Sequence, residues 1–96
     1  MATYMIFVRE GEIVDPEAMA AYQSGSGESP PPANLKALAV YGDMETFEGE
    51  PADGVVVLEF PDAQAAKDWY FSDSYQKRAK LRQKAAPYRC FMVEGL

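Results

Sequence analysis

Thr3 to Arg9 (Thr-Tyr-Met-Ile-Phe-Val-Arg) is β-branched and aromatic with no polar break, the pattern of a strand covered on both faces. Asp15-Pro16-Glu17 follows as an N-cap, a proline at the first helical position and an acid in the first turn. These open a helix that carries Met19 and Tyr22 and should end by Gly25. Gly25 to Pro32 holds two glycines and a triple proline, which forbid regular helix and predict a surface loop. Leu35–Tyr41 and Met44–Glu48 read as strand segments separated by Gly42-Asp43, expected to be a bulge within one bent strand. Glu50-Pro51-Ala52-Asp53-Gly54 reads as a hairpin connection into Val55–Phe60, the purest strand signal in the chain. Pro61-Asp62 starts a second helix through Trp69 and Tyr70. Ser72-Asp73-Ser74 interrupts it, and a third helical stretch runs to about Ala86. Pro87 stops that helix, and Tyr88–Glu94 is the last strand.

The resulting order, β-α-β-β-α-β with the second helical unit broken in two, is the ferredoxin-like pattern: an α+β fold with one antiparallel four-strand sheet. Residues 1–96 are expected to form a single domain of this kind. In that fold the helices cover one sheet face, so the other face should turn polar if it met water. It does not. Thr3, Met5 and Phe7 alternate with Tyr4, Ile6 and Val8; Val55 and Val57 with Val56, Leu58 and Phe60; Tyr88, Cys90 and Met92 with Phe91 and Val93. Leaving half a dozen such side chains in water would forgo on the order of 10 kcal/mol, comparable to the stability of a domain. A homodimer packed sheet to sheet is the expected remedy.

Composition narrows the function. Fifteen acids against nine bases give a net charge of −6. The bases form no patch able to neutralise several phosphates, so nucleic acid is not an expected partner. No apolar run approaches the ~20 residues that span a bilayer, and the first residues lack a basic-then-apolar leader, so no membrane association is expected. The single cysteine, Cys90, sits in an apolar strand and suits a reducing cytoplasm. Histidine is absent altogether. This removes the usual general base, the commonest metal ligand and every Ser/His or Cys/His pair.

Several strings taken together resemble the domain of unknown function 1330 family: Phe47-Glu48-Gly49, Val56-Val57-Leu58-Glu59-Phe60-Pro61, Ala66, Trp69-Tyr70, Ser74-Tyr75-Gln76, Leu81-Arg82 and Val93-Glu94-Gly95-Leu96. The opening strand, Asp15-Pro16-Glu17 and Tyr22 extend the resemblance over most of the chain. It implies a dimeric α+β barrel, the superfamily that also holds cofactor-less monooxygenases, haem-degrading enzymes and small stress-response barrels. It implies no particular reaction. Where the family usually carries a His-Gly-Gly or similar segment before the second strand, this chain has Pro32-Ala33-Asn34-Leu35, so any role of that histidine is absent.

Arg82 is the first candidate for chemistry, because Tyr75, Ala79, Arg82 and Ala86 recur at helical spacing and share one core-facing side. A buried cation needs a partner. The structural alternative is a salt bridge, with Glu59 the candidate acid, and the functional one is an anchor for a ligand carboxylate. Glu59 interrupts an apolar central strand on the side away from Phe60. If Phe60 faces the helices, Glu59 faces the barrel interior, as an ion-pair partner or as a base of raised pKa. Trp69, Tyr70, Phe71 and Tyr75 cluster at the helix break and cannot all enter one core. At least one is therefore expected to line a cavity or an interface, while core filling is the default for each.

Gly25-Ser26-Gly27 lacks the preceding strand and the following Lys-Ser/Thr of a phosphate loop. The acids Asp43, Glu45, Glu48, Glu50 and Asp53 lack the spacing of a calcium loop and read as a solvated rim. No metal, haem or other cofactor is expected. Two functions remain in view. One is a dimeric barrel that binds a small aromatic or anionic organic ligand through Glu59, Arg82, Trp69, Tyr70 and Tyr75, with cofactor-free turnover as its enzymatic form. The other is a non-catalytic structural or stress-response dimer whose barrel is filled with side chains.

Overall fold

The computed structural model describes residues 2–24 and 34–96. The expected loop at Gly25–Pro32 and the rejected phosphate loop within it lie outside the described residues. The elements follow in the order β1 (Thr3–Arg9), α1 (Pro16–Ser24), β2 (Lys36–Val40), β3 (Gly54–Phe60), α2 (Ala63–Tyr70), α3 (Asp73–Ala85) and β4 (Tyr88–Glu94). They form one antiparallel sheet with strand order β2-β3-β1-β4, the two most apolar strands at its centre.

The local chemistry read from the sequence explains most boundaries. Asp15 Oδ1 accepts the Ala18 amide at 3.0 Å at the start of α1. Asp62 caps α2 by accepting the Ala65 amide at 2.8 Å. Ser72 ends α2 and begins α3: its hydroxyl donates to the Trp69 carbonyl and accepts from the Tyr75 amide. One serine thus satisfies a stranded acceptor of one helix and a stranded donor of the next.

The second strand is where expectation and structure part. Strand pairing ends at Val40 with a last amide bond from Tyr41 to the Val55 carbonyl, and Met44–Glu48 is not a strand. The register irregularity falls between Ala37 and Ala39, not at Gly42-Asp43. β2 already occupies the free edge of β3 through Val56, so residues 44–48 find no backbone to pair with. The expected short hairpin at Glu50–Gly54 is accordingly the end of a longer connection.

Met5, Phe7, Leu58, Phe60, Ala66, Tyr75 and Ala79 form the main buried cluster between sheet and helices, and Ala18, Met19, Ala85 and Ala86 a second one between α1 and α3. Tyr22 and Tyr88 pack against both. The other sheet face carries Tyr4, Ile6, Val8, Val55, Val57, Phe91 and Val93 and meets no helix; Phe91 and Val93 are 43% and 47% exposed. The single chain is a slab, 34 × 33 × 17 Å, with an apolar outer surface.

Candidate functional site

The helix-covered side of the sheet gathers the unusual chemistry. Ala79 of α3 is fully buried, and one turn further on Arg82 reaches down toward the sheet. Arg82 is only 3% exposed. Its Cζ lies 5.1 Å from the ring centres of both Phe7 on β1 and Tyr88 on β4, and the Tyr75 hydroxyl is within electrostatic reach of it. Tyr75 in turn meets Tyr22 of α1, with the two hydroxyls 3.2 Å apart. Cys90 of β4 lies within electrostatic reach of the guanidinium.

No carboxylate pairs with Arg82 among the described residues, and its Nε is buried there without a hydrogen-bond partner. Ring faces and a phenol repay only part of the several kcal/mol needed to bury a cation. The surrounding groups are held neutral. Burial, reinforced by Tyr22, pushes the Tyr75 phenol well above its ordinary value. Burial likewise raises the Cys90 thiol, with Arg82 pulling the other way. For Arg82 itself burial acts to lower the pKa, the adjacent Tyr75 acts to raise it, and the net direction is up. The result is a positive charge among hydroxyl donors, an arrangement suited to an oxyanion.

The expected site residues divide. Arg82, Trp69, Tyr70 and Tyr75 come together: Trp69 lies 4.1 Å from Tyr75, 5.6 Å from Phe60 and 6.3 Å from Phe7 between ring centres, and Tyr70 lies 5.6 Å from Tyr75. Trp69 also lines an open groove with Asn34, Asp62, Gln64, Ala65, Asp68 and Ser72. Phe71 is the aromatic turned out of the cluster, 69% exposed.

Glu59 is elsewhere. It pairs with Tyr4 and Lys36 on the open face, lining a second groove with Asn34, Lys36, Phe60 and Pro61. The sheet therefore stands between Glu59 and Arg82, and the salt bridge considered from the sequence does not form. Alternation had placed Glu59 correctly. What periodicity could not supply was the face onto which α3 folds. Tyr22, Tyr41, Tyr88 and Cys90 were not among the expected site residues, although the alternation of Tyr88 and Cys90 against Phe91 and Val93 already put those two on one face.

Among the described residues, no group of three or more His, Cys, Asp or Glu is placed to hold a metal ion, and no helix is long and apolar enough to cross a membrane. A family model described as "Domain of unknown function (DUF1330)" matches residues 2–96. The chain belongs to the DUF1330 family. Among curated proteins this DUF1330 chain finds no match.

Solved structures share its fold. A protein of unknown function from Rhodopseudomonas palustris is 22% identical, with a TM-score of 0.69 over 99% of this chain and 82% of that one. A dimeric ferredoxin-like protein of unknown function from Thermobifida fusca is 12% identical, with a TM-score of 0.67 over 97% and 90% of the two chains. Another protein described as dimeric and ferredoxin-like, from Jannaschia, is 16% identical, with a TM-score of 0.63 over 99% and 100%. The DUF1330 chain is thus a ferredoxin-like α+β protein, as its element order predicts.

Proposed function

We propose that the protein is a homodimer, joined through the open sheet faces, in which each copy binds a small organic anion at Arg82 beneath the helices. The observation that carries the ligand reading is the buried guanidinium with no carboxylate partner and an unbonded Nε among the described residues. A bound carboxylate would complete the charge balance that the chain itself leaves open. The dimer reading rests on the apolar outer face, and two structural neighbours are described as dimeric. A reducing cytoplasm would keep Cys90 a free thiol.

Arg82, Trp69, Tyr70 and Tyr75 are the ligand-side residues in this reading. Glu59 belongs with the dimer interface, where it faces Lys36. Any turnover would rest on Arg82 stabilising negative charge that the ligand carries or develops, since no histidine is present to move protons. The competing reading, a structural dimer with a filled interior, draws support from the close Trp69–Tyr75 stacking.

Native mass spectrometry of freshly expressed protein separates the two. A dimer carrying an acidic small molecule, released on Arg82→Met substitution, is expected. A dimer with no adduct that loses stability when the guanidinium is removed would favour the filled structural form, and a clean monomer at micromolar concentration would overturn the assembly.

A further inference from the structure

The groove beside α2, about 540 Å³ in volume, is space that the described chain leaves open. Asp62, Ala65, Trp69 and Ser72 recur every three or four residues, so the groove follows one side of α2 for its whole length, about 12 Å. Ala65 lies between Asp62 and Trp69 on this side, so only a methyl group rises from the middle of the floor. Trp69 is half-buried: Tyr75, Phe60 and Phe7 hold the indole in place, and part of it stays open to the groove.

The polar lining is held in position by the helix itself. Asp62 accepts the Ala65 amide on one oxygen at 2.8 Å, and Asp68 accepts the Gln64 side-chain amide on one oxygen, also at 2.8 Å. The second oxygen of each carboxylate is unengaged among the described residues, as are the Gln64 carbonyl oxygen and the Asn34 side-chain amide. Ser72 spends its hydroxyl on the Trp69 carbonyl and the Tyr75 amide, so it contributes shape and no free donor. No lysine or arginine lines the groove.

We propose that this groove is a binding site for a small neutral carbohydrate, a mono- or disaccharide, separate from the Arg82 cluster. The class follows from the lining. Two carboxylates and no base reject an anion, and two apolar residues, Ala65 and Trp69, are too few to hold a wholly apolar molecule. A simple cation would gain little from exposed carboxylates and would leave the two amides unused. Hydroxyl groups each donate and accept, which suits carboxylate oxygens that only accept and amides that do both. The apolar C–H side of a sugar ring suits the open part of the indole.

The test titrates isotope-labelled protein with N-acetylglucosamine, methyl β-glucoside, methyl β-galactoside and cellobiose, and with choline as the cationic control. The chain has one tryptophan, so amide-proton NMR reads Trp69 as a single indole N–H resonance. At least one of the sugars is expected to shift that resonance saturably, with a dissociation constant on the order of 1 mM, because an open groove recovers little beyond the cost of association. Asp68 and Gln64 are both exposed, so Asp68→Ala and Gln64→Ala keep the fold, which the same spectrum verifies. Asp68→Ala is expected to weaken the sugar about tenfold and Gln64→Ala about 3–10-fold. Arg82→Met is expected to leave sugar binding unchanged.

A Trp69 shift with choline and with none of the four sugars would overturn the ligand class, and no shift with any of them would overturn the site. Sugar binding indifferent to both Asp68→Ala and Gln64→Ala would place the sugar elsewhere on the molecule. Loss of sugar binding in a folded Arg82→Met protein would overturn the separation of the two sites. Failure of the anion reading at Arg82 leaves each of these outcomes readable, since none depends on it.

Discussion

Ile6 lies at the middle of β1 on the open face, flanked by Val57 of β3 and Phe91 of β4. Replacing it with aspartate places a carboxylate at the centre of the proposed interface and leaves the helix-side core untouched. Burying a side chain of this size contributes about 1.5–3 kcal/mol. In a two-fold interface each substitution occurs twice, so the loss is about 3–6 kcal/mol before any charge is counted. That corresponds to a dissociation constant raised by roughly 10²–10⁴, and the desolvation of two unpaired carboxylates adds to it. Sedimentation equilibrium from 0.1 to 100 µM should show wild-type dimer throughout and Ile6→Asp largely monomer at the lower concentrations. Circular dichroism should show unchanged secondary structure. An Ile6→Asp protein that stays dimeric with wild-type affinity would refute assembly through this face.

Arg82→Met removes an uncompensated buried cation at nearly constant volume, and urea unfolding of ligand-free protein should show unchanged or higher stability; a loss above about 2 kcal/mol would make the arginine structural. Gly54→Ala should destabilise by about 1–3 kcal/mol through the Tyr41 ring, and adding Tyr41→Gly should recover most of the loss in a thermal melt. Tyr41 and Tyr75 have folded-state pKa values above the unfolded value of 10, so the folded protein retains protons that the unfolded chain releases. The stability they contribute is therefore full below about pH 10 and falls as pH rises beyond it. Absorbance at 295 nm should show these phenols ionising together with unfolding; free titration near pH 10 would contradict their burial.

Much of this architecture was legible in local chemistry. Asp15, Asp62 and Ser72 announce the three helix starts because a side-chain oxygen two or three residues ahead of a run of amides is a local event. β1, β3 and β4 are legible because their patterns are long and nearly unbroken. Residues 41–50 misled because Met44, Thr46 and Phe47 have strand-like composition, while pairing depends on a neighbour whose edge β2 had already taken. Phe47, 85% exposed, shows how little composition alone decides.

Within the candidate site, helical spacing revealed the buried side of α3, with Tyr75, Ala79 and Arg82 all buried. The identity of Arg82's neighbours was not accessible, because Tyr22, Phe7 and Tyr88 come from three other segments and converge only through the strand order. Glu59 was placed on its correct face and given the wrong neighbour for the same reason.

The break at Ser72 has a geometric consequence for the site. Trp69 and Tyr75 are six positions apart, and on one continuous helix, advancing about 100° per residue, they would point well away from each other. Their rings nevertheless stack, because α3 starts afresh after the serine with its own axis and phase. The angular setting of Tyr75 and Arg82 against Trp69 is thus written in the number of residues between the two helices. One residue inserted or removed there would swing the whole α3 wall by about 100° while leaving every strand in register.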